Sequence, residues 1–195
     1  MNYPINNIMK HSLILAVALL CLTGCKQLTK NDTTTVEKKH TLVAYFSATG
    51  TTGAVAELLA QAADADLFEI QPVELYSDSD LNWRDDQSRS SIEMRDSLSR
   101  PLLSAMPVDF LQYDTIFIGF PIWWGVAPHI INSFLEAADF AGKNLVLFAT
   151  SGSSPIEPAV ANLRYTYPQY SFEDGRLLNN MTPADLTQWV EDLHK

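Results

Sequence analysis

The chain has 195 residues, of which 47% are hydrophobic and 18% are charged, and its formal net charge is −10 at pH 7. That length fits one domain of ordinary size with an appendage, and the apolar content is sufficient for a buried core. The acidic balance argues against nucleic acid as a partner, because phosphate binding requires clustered lysine and arginine. It is compatible both with docking to a basic protein and with a role in solubility alone.

The beginning of the chain has the order of a secretory signal. Lys10 and His11 precede an apolar run at 12–22, and small residues follow the run. The run is too short for a comfortable membrane span, which needs about 20 apolar residues. The segment 22–25, with the sequence LTGC, resembles the lipobox of bacterial lipoproteins, in which the final cysteine is diacylated and becomes the first residue.

This resemblance predicts a signal peptide at 1–24, a lipidated Cys25 at the start of a polar tether over 25–40, and a domain at 41–195. A plain secretory signal with a coincidental cysteine and an uncleaved anchor helix are the alternatives. Several acyl chains together give stable anchoring. We therefore expect a lipoprotein of the bacterial cell envelope that faces the periplasm or the exterior and contacts the membrane only through its lipid anchor.

The cysteines of the chain are Cys21 and Cys25. Cleavage before Cys25 removes the first and leaves the second acylated, so the mature protein would have neither a free thiol nor a disulfide. Thiol catalysis and cysteine-ligated metal sites are thereby excluded. The same cleavage removes one lysine, which changes the net charge from −10 to −11. Whether translation starts at Met1 or at Met9 stays open.

Short apolar runs alternate with segments of helical periodicity beyond the tether. They predict strands at 41–46, 67–70, 114–120 and 144–150, and a weaker fifth strand within 170–178. Helices are predicted at 53–63, 128–138, 155–163 and from Thr182 onwards. Strands that lack strict alternation and are separated by helices indicate a parallel sheet covered on both faces, which is an α/β fold.

Residues 71–108 do not fit this alternation. The stretch is long and polar with weak periodicity, and a loop of that length inside a domain is usually functional or contains structure that the pattern does not reveal. Its part at 83–91 (WRDDQSRSS) is dense in charge. That part could cover a ligand, form a surface for a partner, or be a solvated face.

Three loops each follow the carboxyl end of a predicted strand, the edge at which open α/β sheets bind ligands. The first loop precedes a helix, which directs unpaired N–H groups and a partial positive charge at it. It contains hydroxyl residues and one glycine but no cation, so it suits a phosphate held without a charged side chain. Its residues are Ser47, Ala48, Thr49, Gly50, Thr51 and Thr52.

Two better-known phosphate motifs are absent from this loop. It has neither the Gly-Lys-Ser/Thr of a P-loop nor the Gly-x-Gly-x-x-Gly of a dinucleotide turn. An ordinary turn with helix-capping hydroxyls is the alternative interpretation.

The second and third loops supply aromatic and small polar groups. Two adjacent tryptophans at the end of a strand suit stacking on a flat ligand, because indole offers a broad π face and one N–H; the alternative is that one or both pack beneath the next helix. The third loop offers hydroxyls and exposed amides. The second loop comprises Pro121, Ile122, Trp123, Trp124 and Gly125, and the third comprises Thr150, Ser151, Gly152, Ser153 and Ser154.

The pattern Ser47-x-Thr49-Gly50-x-Thr52 is similar to the phosphate loop of flavodoxins. The resemblance extends over residues 41–195 and implies a doubly wound, five-stranded parallel sheet of order 2-1-3-4-5. It implies that the first loop binds the phosphate of FMN, that the tryptophan loop lies beside the isoalloxazine ring, and that the third loop hydrogen-bonds the edge of the ring.

The same resemblance implies electron transfer, with FMN as the cofactor and an unidentified redox protein or small acceptor as the partner. An FMN-dependent NAD(P)H:quinone-type oxidoreductase and an FMN-binding lipoprotein without redox duty are the alternatives. No residue of the chain itself is predicted to be catalytic. The histidines at 40, 129 and 194 lack the spacing of metal ligands, so no metal site is predicted.

Overall fold

The computed structural model describes residues 40–106, 110–173 and 175–193. The predicted signal peptide, Cys25 and the tether up to residue 39 lie outside the described residues. In the described part, no helix is both long enough and apolar enough to cross a membrane.

Five strands and five α-helices form the described chain. The strands are β1 (His40–Tyr45), β2 (Asp66–Glu69), β3 (Tyr113–Pro121), β4 (Asn144–Thr150) and β5 (Arg176–Leu177). The helices are α1 (Thr51–Ala63), α2 (Arg89–Arg95), α3 (His129–Glu136), α4 (Glu157–Thr166) and α5 (Pro183–Leu193). A single 3₁₀ turn, Phe110–Gln112, leads into β3.

The strands form one sheet in the order β2-β1-β3-β4-β5. Every neighbouring pair is parallel, which confirms the predicted α/β class and strand order. The chain runs from β1 outward to β2 and then returns across β1 to β3. Strand order therefore reverses between β1 and β3, and the carboxyl ends of these two strands flank a switch point of the kind where such sheets bind ligands.

Alternate residues of the central strands bury themselves on opposite faces of the sheet. On one face, Leu42, Ile116 and Leu147 pack with side chains of α3 and α4. On the other, Val43 and Phe148 pack with side chains of α1 and α5. Both faces are apolar because both are covered, so the strands read as continuous hydrophobic runs.

The connection from β2 to β3 is ordered over residues 71–106, here called the crossover segment. Its ends pair with each other, since the amide of Val73 donates to the carbonyl of Leu102 at 2.8 Å and that of Ser104 donates to Gln71 at 2.8 Å. It contains α2, which the polar pattern did not reveal. The side chains that α2 buries are Ser90 and Ser91, so it has no apolar stripe by which periodicity could detect it.

The fifth strand is shorter than the predicted range of 170–178. It spans Arg176–Leu177, and a separate bridge joins Phe172 to Leu145. The fifth strand therefore lies within the range predicted for it.

Candidate functional site

The first loop is held closed by two of its own hydroxyls. Ser47 Oγ accepts a hydrogen bond from the amide of Gly53 at 3.0 Å. Thr52 is 1% exposed, and its Oγ1 lies 2.8 Å from Oγ1 of Thr150 at the end of β4. These hydroxyls fix the loop to the start of α1 and to a second strand, while Thr49 and Thr51 face solvent.

The main chain of the same loop presents unpaired donors. Gly50 adopts the left-handed conformation with φ of 83° and directly precedes α1. Among the described residues, the N–H groups of Thr49, Gly50, Thr51 and Thr52 have no acceptor. They stand at the N-terminus of a 13-residue helix, where the macrodipole contributes partial positive charge. The loop can therefore hold an anion without a cationic side chain.

The tryptophan loop is a tight turn. The amide of Trp123 donates to the carbonyl of Val126 and the amide of Val126 donates to that of Trp123, both at 3.0 Å. The two residues between them have positive φ, 48° at Trp124 and 82° at Gly125. This is the type I′ geometry, which asparagine and glycine adopt easily and tryptophan does not.

The two indoles have different surroundings. Trp123 is half-buried and meets the ring of Phe46 edge-on at 5.5 Å and that of Tyr76 at 5.4 Å. It thus packs against the end of β1 and the crossover segment. Trp124 remains 52% exposed.

The third loop is folded upon one serine. Ser151 Oγ accepts hydrogen bonds from the amides of Ser153 at 3.2 Å and Ser154 at 2.8 Å. Asn179 accepts from the Ser151 amide at 3.0 Å and donates its own Nδ2 to the Ser151 carbonyl. Within the described chain, the Gly152 amide is the donor of 151–154 left without a partner. The sequence predicted several available amides in this loop, and the described residues leave one, that of Gly152.

The three loops meet in a cavity of about 600 Å³ at the carboxyl edge of the sheet. None of the side chains that line it is charged. The predicted residues that line it are Thr49, Thr51, Pro121, Ile122, Trp123, Thr150, Ser151 and Gly152. The residues that sequence reasoning missed are Ala54, Val55, Asn179 and Asn180. The asparagines follow β5, whose predicted range was too broad to place them at this edge.

A second cavity of about 350 Å³ adjoins the first. The two share Thr49 and residues 121–123. Ala48 and Trp124 line the smaller cavity and not the larger one, and the crossover segment contributes Leu81, Trp83 and Ser90. Five of the predicted residues line neither cavity, and their part is to shape the loops as described above: Ser47, Gly50, Thr52, Gly125 and Ser153.

A polar network fixes the crossover segment beside these cavities. Tyr76 donates its hydroxyl to Glu93 Oε2 at 2.5 Å, and Arg89 pairs with Glu93 at 2.7 Å while its guanidinium stacks on the Tyr76 ring at 4.1 Å. Burial and the adjacent Glu93 carboxylate raise the pKa of Tyr76 well above its ordinary value. The phenol therefore stays protonated and donates at any physiological pH.

His129 begins α3 and faces the same segment. Burial and the nearby Arg100 lower the pKa of His129. Three weaker effects raise this pKa: a hydrogen bond to the main chain of Glu93 and the negative charges of Glu93 and Asp96. Its Nδ1 is buried and has no hydrogen-bond partner within the described residues. The ring thus belongs to the packing of the segment and lines neither cavity.

These features define a doubly wound α/β protein with an uncharged, anion-accepting groove at the switch point of its sheet. Residues 40–193 match the family model of the flavodoxins. The chain therefore belongs to the flavodoxin family, as its loop pattern predicted.

Solved structures are similar over most of the domain. A protein of Bacteroides uniformis ATCC 8492 assigned as a flavoprotein is 52% identical, with 80% of this chain and 99% of that chain covered and a TM-score of 0.77. One of Bacteroides eggerthii DSM 20697, assigned likewise, is 43% identical, with 81% and 99% covered and a TM-score of 0.78. No curated protein matches the chain.

A more distant similarity concerns the fold alone. A flavoprotein of Lactobacillus acidophilus NCFM, solved in complex with FMN, is 22% identical. The match covers 72% of this chain and 93% of that chain, with a TM-score of 0.60.

Proposed function

We propose that the chain binds one FMN non-covalently in the larger cavity and carries electrons through it at the bacterial cell envelope. One observation carries the assignment of the cofactor. Thr49 and Thr51 line the same cavity as Trp123 and the loops after β4 and β5, and both have an unpaired amide and an exposed hydroxyl. The unpaired amides of Gly50 and Thr52 adjoin them in the same loop. An anion site joined to an apolar and amide-lined space suits a phosphorylated, planar cofactor.

Different loops would bind different parts of FMN, according to the chemistry of their residues. The first loop and the α1 N-terminus would hold the phosphate. Ile122 and the half-buried indole of Trp123 would contact the ring, while the Gly152 amide would donate to its polar edge. Bound FMN supplies the redox chemistry, and the chain binds it, orients it and sets its potential. The FMN complex of the Lactobacillus acidophilus flavoprotein, which shares the fold, supports this choice of cofactor.

The cofactor assignment is tested by comparing FMN with riboflavin, which lacks the phosphate. Full-length protein should bind FMN at micromolar concentration or tighter and quench its fluorescence. The double variant Thr49→Val, Thr51→Val removes two donors to a charged group, each worth about 1.5–3 kcal/mol. FMN affinity should fall roughly hundredfold or more, and riboflavin affinity should change little.

Thr187→Val is the matched control, because this exposed threonine of α5 donates to the Pro183 carbonyl and lines neither cavity. Equal losses of FMN and riboflavin in the double variant would show that the loop does not recognise phosphate. No binding of FMN by the unaltered chain would disprove the cofactor assignment.

The proposal of a carrier, rather than an enzyme, is tested by turnover. The chain has no dinucleotide turn, so it should oxidise NAD(P)H no faster than free FMN does, with or without a quinone present. Rapid, saturable oxidation of NADPH would instead identify an FMN-dependent oxidoreductase. If bound FMN cannot be reduced and reoxidised reversibly, the chain would instead be an FMN-binding protein with no role in electron transfer.

The proposed place at the envelope depends on Cys25. In a bacterial host, the chain should incorporate labelled palmitate and sediment with membranes, and Cys25→Ser should abolish both. Mass spectrometry of the mature protein should find Cys25 as the first residue. An intact Met1 or an unmodified Cys25 would disprove lipid anchoring.

A further inference from the structure

The smaller cavity has an exposed tryptophan that the FMN proposal does not use. Trp83 lines this cavity and is 64% exposed. The chain around it is fixed, since Asp80 caps a turn at Ser77 and the Ser90 amide donates to the Asp80 carbonyl at 3.0 Å. The guanidinium of Arg84 lies 4.6 Å over the Trp83 ring. An ordered indole that leaves most of its apolar surface in water, next to a pocket, is typical of a binding site.

Trp124 is a second indole that lines the smaller cavity, although its backbone conformation disfavours a bulky residue. Its φ of 48° places a bulky side chain in the left-handed region, which costs of order 1–3 kcal/mol. Asparagine would satisfy the same turn with little strain. The turn alone therefore does not account for tryptophan, whereas a ring directed at the smaller cavity does.

The chemistry of the lining restricts the ligand. The nine residues that line the smaller cavity include no charged side chain. Leu81, Pro121 and Ile122 add apolar surface to the indoles. The hydroxyl of Ser90, a residue 2% exposed, is a buried polar group of the lining, and its nearest partner is Ser88 Oγ at 3.5 Å. Such a lining suits a flat, neutral molecule that places a hydrogen-bond acceptor at the Ser90 hydroxyl.

We propose that the smaller cavity binds a second ligand beside the cofactor: an uncharged planar aromatic molecule, of the class of a naphthoquinone, packed against Trp83 and Trp124 with one carbonyl oxygen at Ser90. The proposal rests on the proposed function in that FMN occupies the adjoining larger cavity. It concerns binding, and it names the chemical class of small molecule that reaches the side of the bound flavin.

The binding experiment uses the FMN-loaded full chain and 2,3-dimethyl-1,4-naphthoquinone, a probe with no free ring position for thiols to attack. The chain has four tryptophans, so its indole N–H resonances can be assigned by single substitutions. The probe should shift the resonances of Trp83 and Trp124 and leave unchanged that of Trp189, a buried residue of α5 that lines neither cavity. FMN should remain bound throughout.

Three variants separate recognition from folding. Trp83→Leu should weaken probe binding roughly tenfold without change in FMN affinity. Tyr165→Leu, a change at an aromatic residue of α4 that is 86% exposed and lines neither cavity, should alter neither. Trp124→Asn should keep or raise the unfolding temperature while weakening probe binding by a similar factor.

The possible failures are distinguishable. Displacement of FMN by the probe would assign the smaller cavity to the flavin ring and overturn the proposal. Unaltered probe affinity in Trp83→Leu would also overturn it. If FMN does not bind the unaltered chain, the proposed function fails, and titration of the FMN-free chain still decides whether probe binding depends on Trp83.

Discussion

Single side chains decide how the loops of the groove are held. Four hydroxyls in the first loop predicted phosphate contacts, yet Ser47 and Thr52 bond to Gly53 and Thr150 and thereby shape the loop. Buried hydrogen bonds of this kind cost more to break than they contribute on formation, because the partner remains unsatisfied. Loop residues that never contact a ligand can therefore control its binding.

Asn179 is such a positioning residue. Asn179→Ala removes both of its hydrogen bonds to the Ser151 main chain, each worth about 0.5–1.5 kcal/mol net. We expect FMN affinity to fall roughly threefold to tenfold and the visible absorption bands of bound flavin to shift, because the Gly152 amide loses its position. Titration with FMN and the spectrum of the complex measure these effects.

Asn179→Asp keeps the acceptor for the Ser151 amide, so it should recover part of the affinity. Asn162→Ala, on the exposed side of α4, is the control. An affinity loss without any spectral shift would indicate general destabilisation in place of a positioning role.

His129 makes stability depend on pH. Burial and Arg100 lower its pKa from the ordinary value of 6.5. The unfolded chain therefore takes up a proton before the folded chain does, so this residue lowers stability as pH falls below about 6.5. Urea unfolding from pH 8 to pH 5 should show a steeper loss for the unaltered protein than for His129→Gln. Parallel pH profiles would contradict this assignment.

At the level of elements, the centre of the sheet has no spare volume. A Cβ on Gly119 of β3 would lie 2.0 Å from Cζ of Phe148, a fully buried ring of β4. The neighbouring strand thus uses the space that a side chain would fill. This contact also explains why a glycine interrupts the otherwise apolar run of β3.

Gly119→Ala should lower the free energy of unfolding by about 1–3 kcal/mol, the range for an overpacked core. Denaturant melts measure the change. Gly152→Ala is the control for stability, because no atom lies within 4 Å of the added methyl group and its φ is not positive. Phe148→Leu should partly rescue Gly119→Ala, since the two changes share one space. Additive losses in the double variant would contradict the contact.

Elements with an apolar signature were predictable from the sequence, and those without one were not. The bounds of β4 agree with prediction because a continuous apolar run ends abruptly in polar residues. α2 was missed because serines form its buried side. The three loops were predicted because strand ends share an edge. Trp83 and Ser90 belong to the segment 83–91, for which covering a ligand was one of three alternatives, and both line the smaller cavity. Asn179 reaches the larger cavity from a distant part of the chain, and nothing in the local pattern places it there.

The whole molecule is acidic, with a formal net charge of −10. Negative charge around a flavin disfavours its anionic reduced form, so the protein should lower the potential of bound FMN relative to neutral surroundings. Raising the ionic strength from 0.01 M to 1 M shortens the screening length from about 30 Å to about 3 Å. We expect the two-electron potential to rise by roughly 10–30 mV. Redox titration with free FMN in the same buffers measures this, and an unchanged difference would show that surface charge does not set the potential.

The parallel sheet also separates the entry of the chain from the groove. β1 lies inside the sheet and begins at His40, which pairs with Tyr113 at the start of β3. The cavities lie past the opposite ends, at Pro121 and Thr150. Six residues at about 3.3 Å each put roughly 20 Å between the two edges. A bead, an electrode or a fusion partner attached at His40 would therefore be joined to the domain at the edge of the sheet opposite the groove.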